Sequence, residues 1–166
     1  MSYYIILRGP LGCGKSTIAL VLSKILNAAY VSLDEVLAEN GLDKVDPDAE
    51  CIPVLNFIQA NNRVLPEVQA QLRNGRHIIF DACFYHKEAI EHIQQHLAFP
   101  GYIFTLKAPL DICIARDRNR SKSYGEDAAR AVHQLVSRFD EGIIIDVTQA
   151  LDDSVQNILS HLPSLH

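Results

Sequence analysis

The apolar residues of this chain fall into short continuous runs that alternate with stretches of helical spacing. The runs cover residues 3–7, 28–33, 77–80, 102–106 and 143–145, and each predicts a buried β-strand. Between them, apolar residues recur three and four positions apart, as at Ile18, Val21, Leu22 and Ile25, which predicts amphipathic helices. Buried strands that alternate with helices predict an α/β domain, with a five-stranded parallel sheet and helices on both of its faces.

Three segments between these elements have less regular patterns. Asp34 follows the second strand and is predicted to cap a short helix over residues 35–40, which Gly41 ends. Residues 43–53 are polar and contain two prolines, so they are predicted to form a loop. Residues 54–74 have helical spacing, but Pro66 lacks the N–H that a helix interior needs, so two helical pieces are predicted there.

The first strand runs directly into a glycine-rich loop. Residues 9–16 are G-P-L-G-C-G-K-S and match the phosphate-binding pattern G-x-x-x-x-G-K-[ST]. A strand, a glycine loop and a helix in this order direct backbone N–H groups and the positive end of a helix dipole toward one place. Lys15 is predicted to reach the β- and γ-phosphates of a nucleoside triphosphate, and Ser16 to hold Mg²⁺. The predicted nucleotide-binding residues of the loop are Gly9, Gly12, Cys13, Gly14, Lys15, Ser16 and Thr17.

Composition indicates the setting in which such a site would work. The 166 residues fit one domain over residues 1–166, and a net charge of −5 disfavours a nucleic-acid partner. No apolar run approaches the about 18 residues of a membrane span, and no signal peptide is predicted. The four cysteines form no C-x-x-C pair, which favours reduced thiols in a cytoplasmic protein. Cys13 lies beside a helix N-terminus, which is expected to lower its pKa and make it sensitive to oxidation.

Other motifs narrow the class of nucleotide-binding protein. The chain has no N-K-x-D guanine motif, which argues against a small GTPase, and it is small for a motor ATPase of the AAA+ or ABC type. The pattern resembles the nucleoside-monophosphate-kinase and shikimate-kinase branch of P-loop proteins. It is most similar to the AAA-type ATP-binding proteins of the zeta-toxin, chloramphenicol-phosphotransferase and polynucleotide-kinase group. The resemblance implies the strand order 2-3-1-4-5, ATP as phosphoryl donor, and a small lid at about residues 116–127.

Two aspartates stand at strand ends where the resembled kinases carry functional carboxylates. In those kinases an aspartate after the second strand orients or deprotonates the acceptor hydroxyl, and Asp34 has this position, with helix capping as an alternative or additional role. Asp81 closes an apolar strand, as in the Walker-B pattern that supports Mg²⁺; a turn or cap role is the alternative. Shikimate kinases carry D-x-D after the second strand, whereas this chain has Ser32-Leu33-Asp34, which disfavours that activity.

A local run of cations stands out in this acidic chain. Arg116, Arg118, Arg120 and Lys122 are spaced by two, so they cannot share one helical face, and the helix is predicted to fray into a loop here. In the resembled kinases arginines at this point fold over ATP. That implies a catalytic role for Arg116 and Arg120 and nucleotide contact for Arg116, with a solvated basic turn as the alternative.

The remaining candidates are weaker. Arg8 is assigned a structural role, and ordinary surface positions are favoured for Arg63 and Arg130 over contact with an acceptor or a phosphate. His86 is interpreted as a first-turn residue of the following helix rather than a substrate contact. The segment after the last strand, residues 145–149, is where the backbone of the resembled kinases lies against the adenine edge.

The predicted function is ATP- and Mg²⁺-dependent transfer of a phosphoryl group to a hydroxyl or phosphate of a small molecule. The predicted catalytic residues are Lys15, Asp34, Arg116 and Arg120, with Ser16 and Asp81 at the metal. The alternatives are a regulatory ATPase without a dedicated acceptor and a nucleic-acid-end kinase, although the chain has few clustered cations outside the lid and no Trp for base stacking. A cytoplasmic monomer or homodimer without membrane contact is expected.

Overall fold

The chain alternates strands and helices along its whole described length. The computed structural model describes residues 1–164. The strands are β1 (Tyr4–Arg8), β2 (Ala29–Ser32), β3 (Ile78–Ala82), β4 (Gly101–Lys107) and β5 (Ile143–Asp146). The helices are α1 (Lys15–Leu26), α2 (Leu33–Glu39), α3 (Val54–Arg73), α4 (Lys87–His96), α5 (Leu110–Arg118), α6 (Glu126–Val136) and α7 (Leu151–Ser160).

The strands form one parallel sheet in the order β2-β3-β1-β4-β5, so the predicted fold class and strand order are confirmed. The central strand β1 places Tyr4 opposite Ile78 of β3 and Gly101 of β4. Because all pairs are parallel, the carboxyl ends of the strands meet at one edge of the sheet. The segments that follow β1, β2 and β3 therefore converge there, where ligands of open α/β sheets bind.

Alternate residues of β1 pack into two separate apolar layers. Tyr4 and Ile6 belong to the layer formed with α2, α3, α4 and the C-terminal end of α6. Ile5 and Leu7 belong to the opposite layer, formed with α1, α5 and α7. Every residue of β1 is buried, which explains why this strand is continuously apolar rather than alternating until Arg8.

Two local predictions about helices are wrong. α3 is one continuous helix with Pro66 inside it. Pro66 and Asn62 are both exposed, so the Asn62 carbonyl that loses its helical partner faces water. Phe57 and Val68, on either side of Pro66 along the chain, are both buried on the opposite, apolar face of α3. The cap of α2 is Ser32, whose hydroxyl accepts a hydrogen bond from the Glu35 N–H at 3.3 Å, and not Asp34.

Candidate active site

The loop between β1 and α1 has a backbone conformation that requires glycine. Gly12 and Gly14 have φ angles of +79° and +97°. A Cβ on Gly12 would also lie 2.1 Å from the carbonyl oxygen of Cys113, so no larger residue fits there. α1 begins at Lys15 with no side-chain cap and no acidic residue in its first turn. The first N–H groups of α1 are thus available to an anion, which the helix dipole also favours.

Lys15 lies across this loop. Its side chain is buried, and its ammonium donates a hydrogen bond to the Pro10 carbonyl at 2.8 Å. Burial by itself lowers the pKa of Lys15, but the acidic groups around it, including Asp81 and Asp34, outweigh burial and raise that pKa. Lys15 is therefore a firmly charged cation in the middle of the site.

Ser16 and Asp81 meet beside Lys15. The Ser16 hydroxyl donates to Asp81 Oδ2 at 3.0 Å, and the Tyr30 phenol donates to the same oxygen at 2.5 Å. Asp81 Oδ1 is buried and has no hydrogen-bond partner in the part of the chain that the structure describes. Mg²⁺ prefers hydroxyl, carboxylate, phosphate and water oxygens, so this pair fits the predicted ion. Tyr30 was not predicted, because its partner is 51 residues away in the chain.

Within residues 1–164, no cluster of three or more His, Cys, Asp and Glu could hold a metal by itself. That is compatible with Mg²⁺, which is commonly bound by one or two protein oxygens together with substrate phosphates and water. The same residues contain no helix with the length and hydrophobicity needed to cross a membrane.

A cavity of about 440 Å³ opens beside the loop, between α1, α5 and α7. Its lining residues are Gly12, Cys13, Gly14, Ser16, Thr17, Ile18, Arg116, Arg120, Val147, Leu151 and Ser154. The structure thus brings most of the predicted nucleotide-binding residues to one wall; Gly9 and Lys15 do not line the cavity. Val147 belongs to the predicted segment 145–149. Leu151 and Ser154 were missed, because apolar and small residues at helical spacing signal only packing.

The cationic run divides between the cavity and the solvent. Arg116 donates to the Cys13 carbonyl at 3.1 Å and to the Val147 carbonyl at 2.8 Å, so it joins the glycine loop to the end of β5. Arg118 points away and pairs with Glu126 at 2.8 Å. α5 continues through Arg118, later than the predicted fraying, because Arg118 can face solvent while Arg116 faces the cavity. Arg120 follows the helix and lines the cavity.

Asp34 lies on the other side of the glycine loop. The Asp34 carboxylate is half-buried, and the Cys83 thiol approaches its Oδ2 at 3.9 Å. Burial raises the pKa of Asp34 to about 6, although the charge of Lys15 acts in the opposite direction. This carboxyl group therefore titrates just below neutrality, in the range suited to a general base.

The strand order separates Asp34 from the cavity. Asp34 and Cys83 follow β2 and β3, on one side of β1, whereas the α5 and β5 residues of the cavity follow β4 and β5, on the other side. The glycine loop follows β1 itself. Lys15 therefore stands between a cavity and a carboxylate, which is the arrangement that two substrates meeting at one phosphoryl group would need.

The segment after β3 is bent and tied to the loop over residues 43–53. Phe84 has a φ angle of +45°, which bulky residues rarely adopt, and its carbonyl accepts a hydrogen bond from Arg8 Nε at 3.2 Å. The Tyr85 hydroxyl accepts from the Ile52 N–H at 2.9 Å, and His86 Nε2 donates to the Ile52 carbonyl at 2.7 Å. His86 stands at the N-cap position of α4, one position before the predicted first turn, and its side chain makes no capping hydrogen bond.

Arg8 is completely buried directly before the glycine loop. Besides Phe84, its guanidinium donates to Thr105 Oγ1 at 3.1 Å and to the carbonyls of Phe139 and Val136 at 3.0 Å each. Burial lowers the pKa of Arg8 to about 10, so it stays charged at neutral pH. These contacts bear out a structural role, and they connect β1 with the segment after β3 and with the C-terminal end of α6.

The expectation that Cys13 has a lowered pKa is wrong. Cys13 is 1% exposed, and burial raises the pKa of its thiol more than the charge of Lys15 lowers it. Position beside a helix N-terminus does favour a thiolate, but removal from water is the larger effect here. All four cysteines are buried free thiols.

Arg63 and Arg130 both lie at the surface. Arg63 is on the exposed face of α3, and Arg130 pairs with Glu126 at 3.1 Å, one helical turn away on α6. The favoured surface interpretation agrees with the position of both residues.

The parallel sheet, the glycine loop at the end of its central strand and the Ser16–Asp81 pair together define a P-loop nucleotide-binding domain. Within that class, the chain belongs to the AAA domain family, whose sequence model matches residues 5–141. A search of curated protein sequences found no match.

Solved structures of small-molecule kinases share this fold. A sugar kinase from Janibacter superposes with a TM-score of 0.78 at 14% identity, over 96% of this chain and 94% of that one. The APS kinase of Mycobacterium tuberculosis, in complex with AMPPNP and APS, gives 0.70 at 16% identity, over 96% of each chain. A gluconokinase from Sinorhizobium meliloti gives 0.67 at 12% identity, over 95% of this chain and 89% of that one. The predicted resemblance to P-loop small-molecule kinases is confirmed.

Proposed function

We propose that this protein is an ATP- and Mg²⁺-dependent phosphotransferase that moves the γ-phosphoryl group to a hydroxyl or phosphate of a small molecule. The observation that carries the proposal is Asp34, a half-buried carboxylate whose pKa is about 6, separated from the cavity by the glycine loop and Lys15. A protein that only binds a nucleotide needs no carboxylate in that position. The shared fold of the sugar kinase, the APS kinase and the gluconokinase supports the same reaction class.

ATP is the donor in this proposal, and its base and ribose occupy the cavity. The amides of the glycine loop and Lys15 hold the β- and γ-phosphates. Arg116 is fixed between the glycine loop and β5, so it lies on the adenine side, and Arg120 is assigned to the transferring phosphoryl group. Ser16 and Asp81 would hold Mg²⁺, which neutralises charge on the β- and γ-oxygens when it is bound.

The acceptor binds beside Asp34 and the segment after β3. Asp34 takes the proton of the acceptor hydroxyl as its oxygen forms a bond to the γ-phosphorus. The bond from that phosphorus to the bridging oxygen of ADP breaks, so the products are a phosphorylated acceptor and ADP. Lys15 stays close to both groups and stabilises the negative charge of the transferring phosphoryl group.

We further propose that the protein works in the cytoplasm on small molecules, as a monomer or a homodimer. The buried free thiols support a reducing compartment. Sedimentation of the purified protein would distinguish the two oligomeric states.

The test is ATP turnover with a panel of acceptors, measured for wild type, Asp34→Ala and Glu35→Ala. The panel contains sugars, sugar acids, nucleosides, nucleoside phosphates and an oligonucleotide with a free 5′-hydroxyl. We expect one class to raise ADP formation, and Asp34→Ala to reduce that acceptor-dependent rate about a hundredfold or more. Glu35 is the exposed neighbour of Asp34, so Glu35→Ala is the matched control and should retain the wild-type rate.

Two results would contradict the proposal. If Asp34→Ala stays within about threefold of wild type, the base assignment is wrong. If no acceptor raises ADP formation above basal hydrolysis, a regulatory ATPase is the better description. Phosphorylation confined to the oligonucleotide, with steep salt dependence, would instead identify a nucleic-acid-end kinase.

A further inference from the structure

A buried carboxylate stands at the base of the lid. Asp117 lies in the last turn of α5 and is 1% exposed. Its neighbours in the chain are the cavity residue Arg116 and the exposed Arg118. The Asp117 carboxylate accepts hydrogen bonds from the Ser123 hydroxyl at 2.8 Å, the Gly125 N–H at 3.1 Å and the Tyr124 N–H at 3.3 Å. All three donors belong to one short segment, residues 123–125, which connects α5 to α6.

These contacts explain how a carboxylate tolerates burial. An ionised carboxylate is costly to remove from water unless hydrogen bonds replace its hydration. Burial alone would raise the pKa of Asp117, but the hydrogen bonds from residues 123–125 and the charge of Arg120 outweigh it and lower the pKa. Asp117 is therefore ionised at neutral pH, and hydrogen bonds to an ionised acceptor are stronger than those between neutral groups.

Asp117 and the segment that it binds also lie beside Arg120, the lid cation that faces the cavity. Arg120 lies 3.9 Å from Asp117 and lines the cavity, and its guanidinium carbon is 5.4 Å from the centre of the Tyr124 ring. Tyr124 itself is held through its N–H by Asp117. Arg120 therefore lies next to two groups: the Asp117 carboxylate, and the ring of Tyr124, whose backbone N–H donates to the same carboxylate.

The neighbouring residues Arg116 and Asp117 of α5 bind two different parts of the site. Arg116 points to the glycine loop and the end of β5, and Asp117 points to the lid segment. One turn of helix therefore joins the nucleotide cavity to the lid with no intervening flexible segment.

We propose that Asp117 is a positioning residue that holds the lid segment 121–125 and Arg120 in an ordered arrangement at the cavity before any nucleotide binds. The role of Arg120 in turnover rests on the proposed function, but the ordering of the segment does not. With Asp117 in place, Arg120 reaches the transferring phosphoryl group with little ordering of the chain, so the cost of that ordering is not added to the barrier of the reaction.

Limited proteolysis tests the ordering without any enzymatic assay. Trypsin cleaves after Arg and Lys, and the lid offers Arg118, Arg120 and Lys122. Cleavage of a folded protein follows the population of the locally opened form. We expect nucleotide-free Asp117→Asn to be cut in this segment about tenfold faster than wild type, since an amide cannot replace three bonds to a carboxylate. Asp111→Asn, the same change at an exposed position of α5, is the matched control and should be cut at the wild-type rate.

Kinetics test what the ordering does. We expect kcat of Asp117→Asn to fall about tenfold, while the Kd of AMPPNP stays within about twofold, because Arg116 and the glycine loop are unchanged. Ser123→Ala removes one of the three donors from an exposed residue and should show the same pattern at smaller size, which keeps the test valid if Asp117→Asn folds poorly.

The proposal is overturned if lid cleavage is equally fast in wild type and in both variants. It is also overturned if cleavage accelerates while kcat is unchanged, because lid order would then have no role in turnover. If the wild type phosphorylates no acceptor, the proposed function fails, and the proteolysis result still decides whether Asp117 orders the lid.

Discussion

The donor half and the acceptor half of the candidate site lie on opposite sides of β1 and are held in different ways. The donor half is the glycine loop with its cavity, and its geometry comes from main-chain torsions within residues 9–17 and from the N-terminus of α1. The acceptor half is Asp34 with residues 83–86. Its geometry comes from side chains that reach across the chain, as Tyr85 and His86 do to Ile52.

Because of this difference, the acceptor half can vary between related proteins while the phosphate-binding loop stays the same. A phosphate cradle of backbone amides depends on glycine at Gly12 and Gly14 and little else, so it stays the same whatever the acceptor is. An acceptor half assembled from side chains on separate segments can be rebuilt by substitutions that leave the loop alone. One donor half can therefore serve many acceptors, as the sugar kinase and the APS kinase of the same fold illustrate.

The largest effect is expected from removal of Lys15, whose side chain is proposed to act in both the donor half and the acceptor half. Lys15→Ala takes away a buried, firmly charged cation near Asp34. We expect turnover to fall about a thousandfold, since in the proposed reaction this charge stabilises the transferring phosphoryl group. The assay is ADP formation, with folding checked by circular dichroism. Lys24→Ala, an exposed change on the same helix, is the control, and full turnover by Lys15→Ala would refute the donor half altogether.

Arg8 joins the two halves structurally, so its loss should affect stability more than chemistry. Arg8→Met leaves the carbonyls of Phe84, Val136 and Phe139 without the donor that Arg8 provides, and the first two of these bonds are buried. We expect the free energy of unfolding in urea to fall by about 3 kcal/mol. Arg138→Met at an exposed site should change it little, and a similarly small loss for Arg8→Met would mean that the halves are held together by other contacts.

The glycine loop of the donor half could be predicted from the sequence because its residues are contiguous, and their spacing alone encodes the loop. The strand pattern predicted the sheet for the same reason: each buried strand is a local apolar run. The base role proposed for Asp34 could be inferred only through resemblance. Its predicted capping role was wrong, because Ser32 and Asp34 are both good caps and only the fold decides between them.

The contacts that complete the site could not be predicted. Tyr30 with Asp81 and Arg8 with Phe139 join residues 51 and 131 positions apart, and one sequence holds no record of such pairings. The sequence pattern did not single out Asp117, although its hydrogen-bond partners are only six to eight residues away. Cys13 shows the same limit, because local position favours a low pKa and burial, a property of the whole fold, reverses it.

Tyr30 tests whether the acceptor side supports the donor side. It stands on β2, yet its phenol donates to Asp81; burial and the charge of Asp81 raise the pKa of that phenol and keep it a donor. We expect Tyr30→Phe to raise the Mg²⁺ concentration for half-maximal turnover by tens of fold, about the effect of losing a partner of a metal ligand. Tyr102→Phe, at the opposite end of the sheet, is the control. An unchanged Mg²⁺ requirement in Tyr30→Phe would mean that Asp81 does not support the metal.

The pH dependence of Asp34 separates its chemistry from its effect on stability. Its pKa is raised from 3.8 to about 6 on folding, so the protonated form favours the folded state. That stabilisation is present below about pH 4 and is lost as the pH rises through about 6. A general base must be ionised, so turnover should rise over the same window and be about tenfold lower at pH 5 than at its plateau.

The two pH responses therefore have opposite signs. Between pH 4.5 and 8, turnover should rise while the free energy of unfolding in urea falls. Asp34→Asn should gain stability relative to wild type progressively between about pH 4 and pH 6 and keep the full gain above pH 6. Parallel responses would show that another group controls turnover.

The smallest effect is expected for Arg130, which we place outside the donor half. Arg130 lies on α6, behind the lid, and its guanidinium pairs with the exposed Glu126, which also pairs with Arg118. An exposed pair of this kind contributes little, and Glu126 keeps a partner when one arginine is removed. We expect Arg130→Gln to keep turnover and the Kd of AMPPNP within about twofold of wild type. Arg120→Gln is the contrasting change at the cavity; if the two variants lost turnover equally, the donor half would have to include α6, and the lid would hold phosphate with more than Arg120.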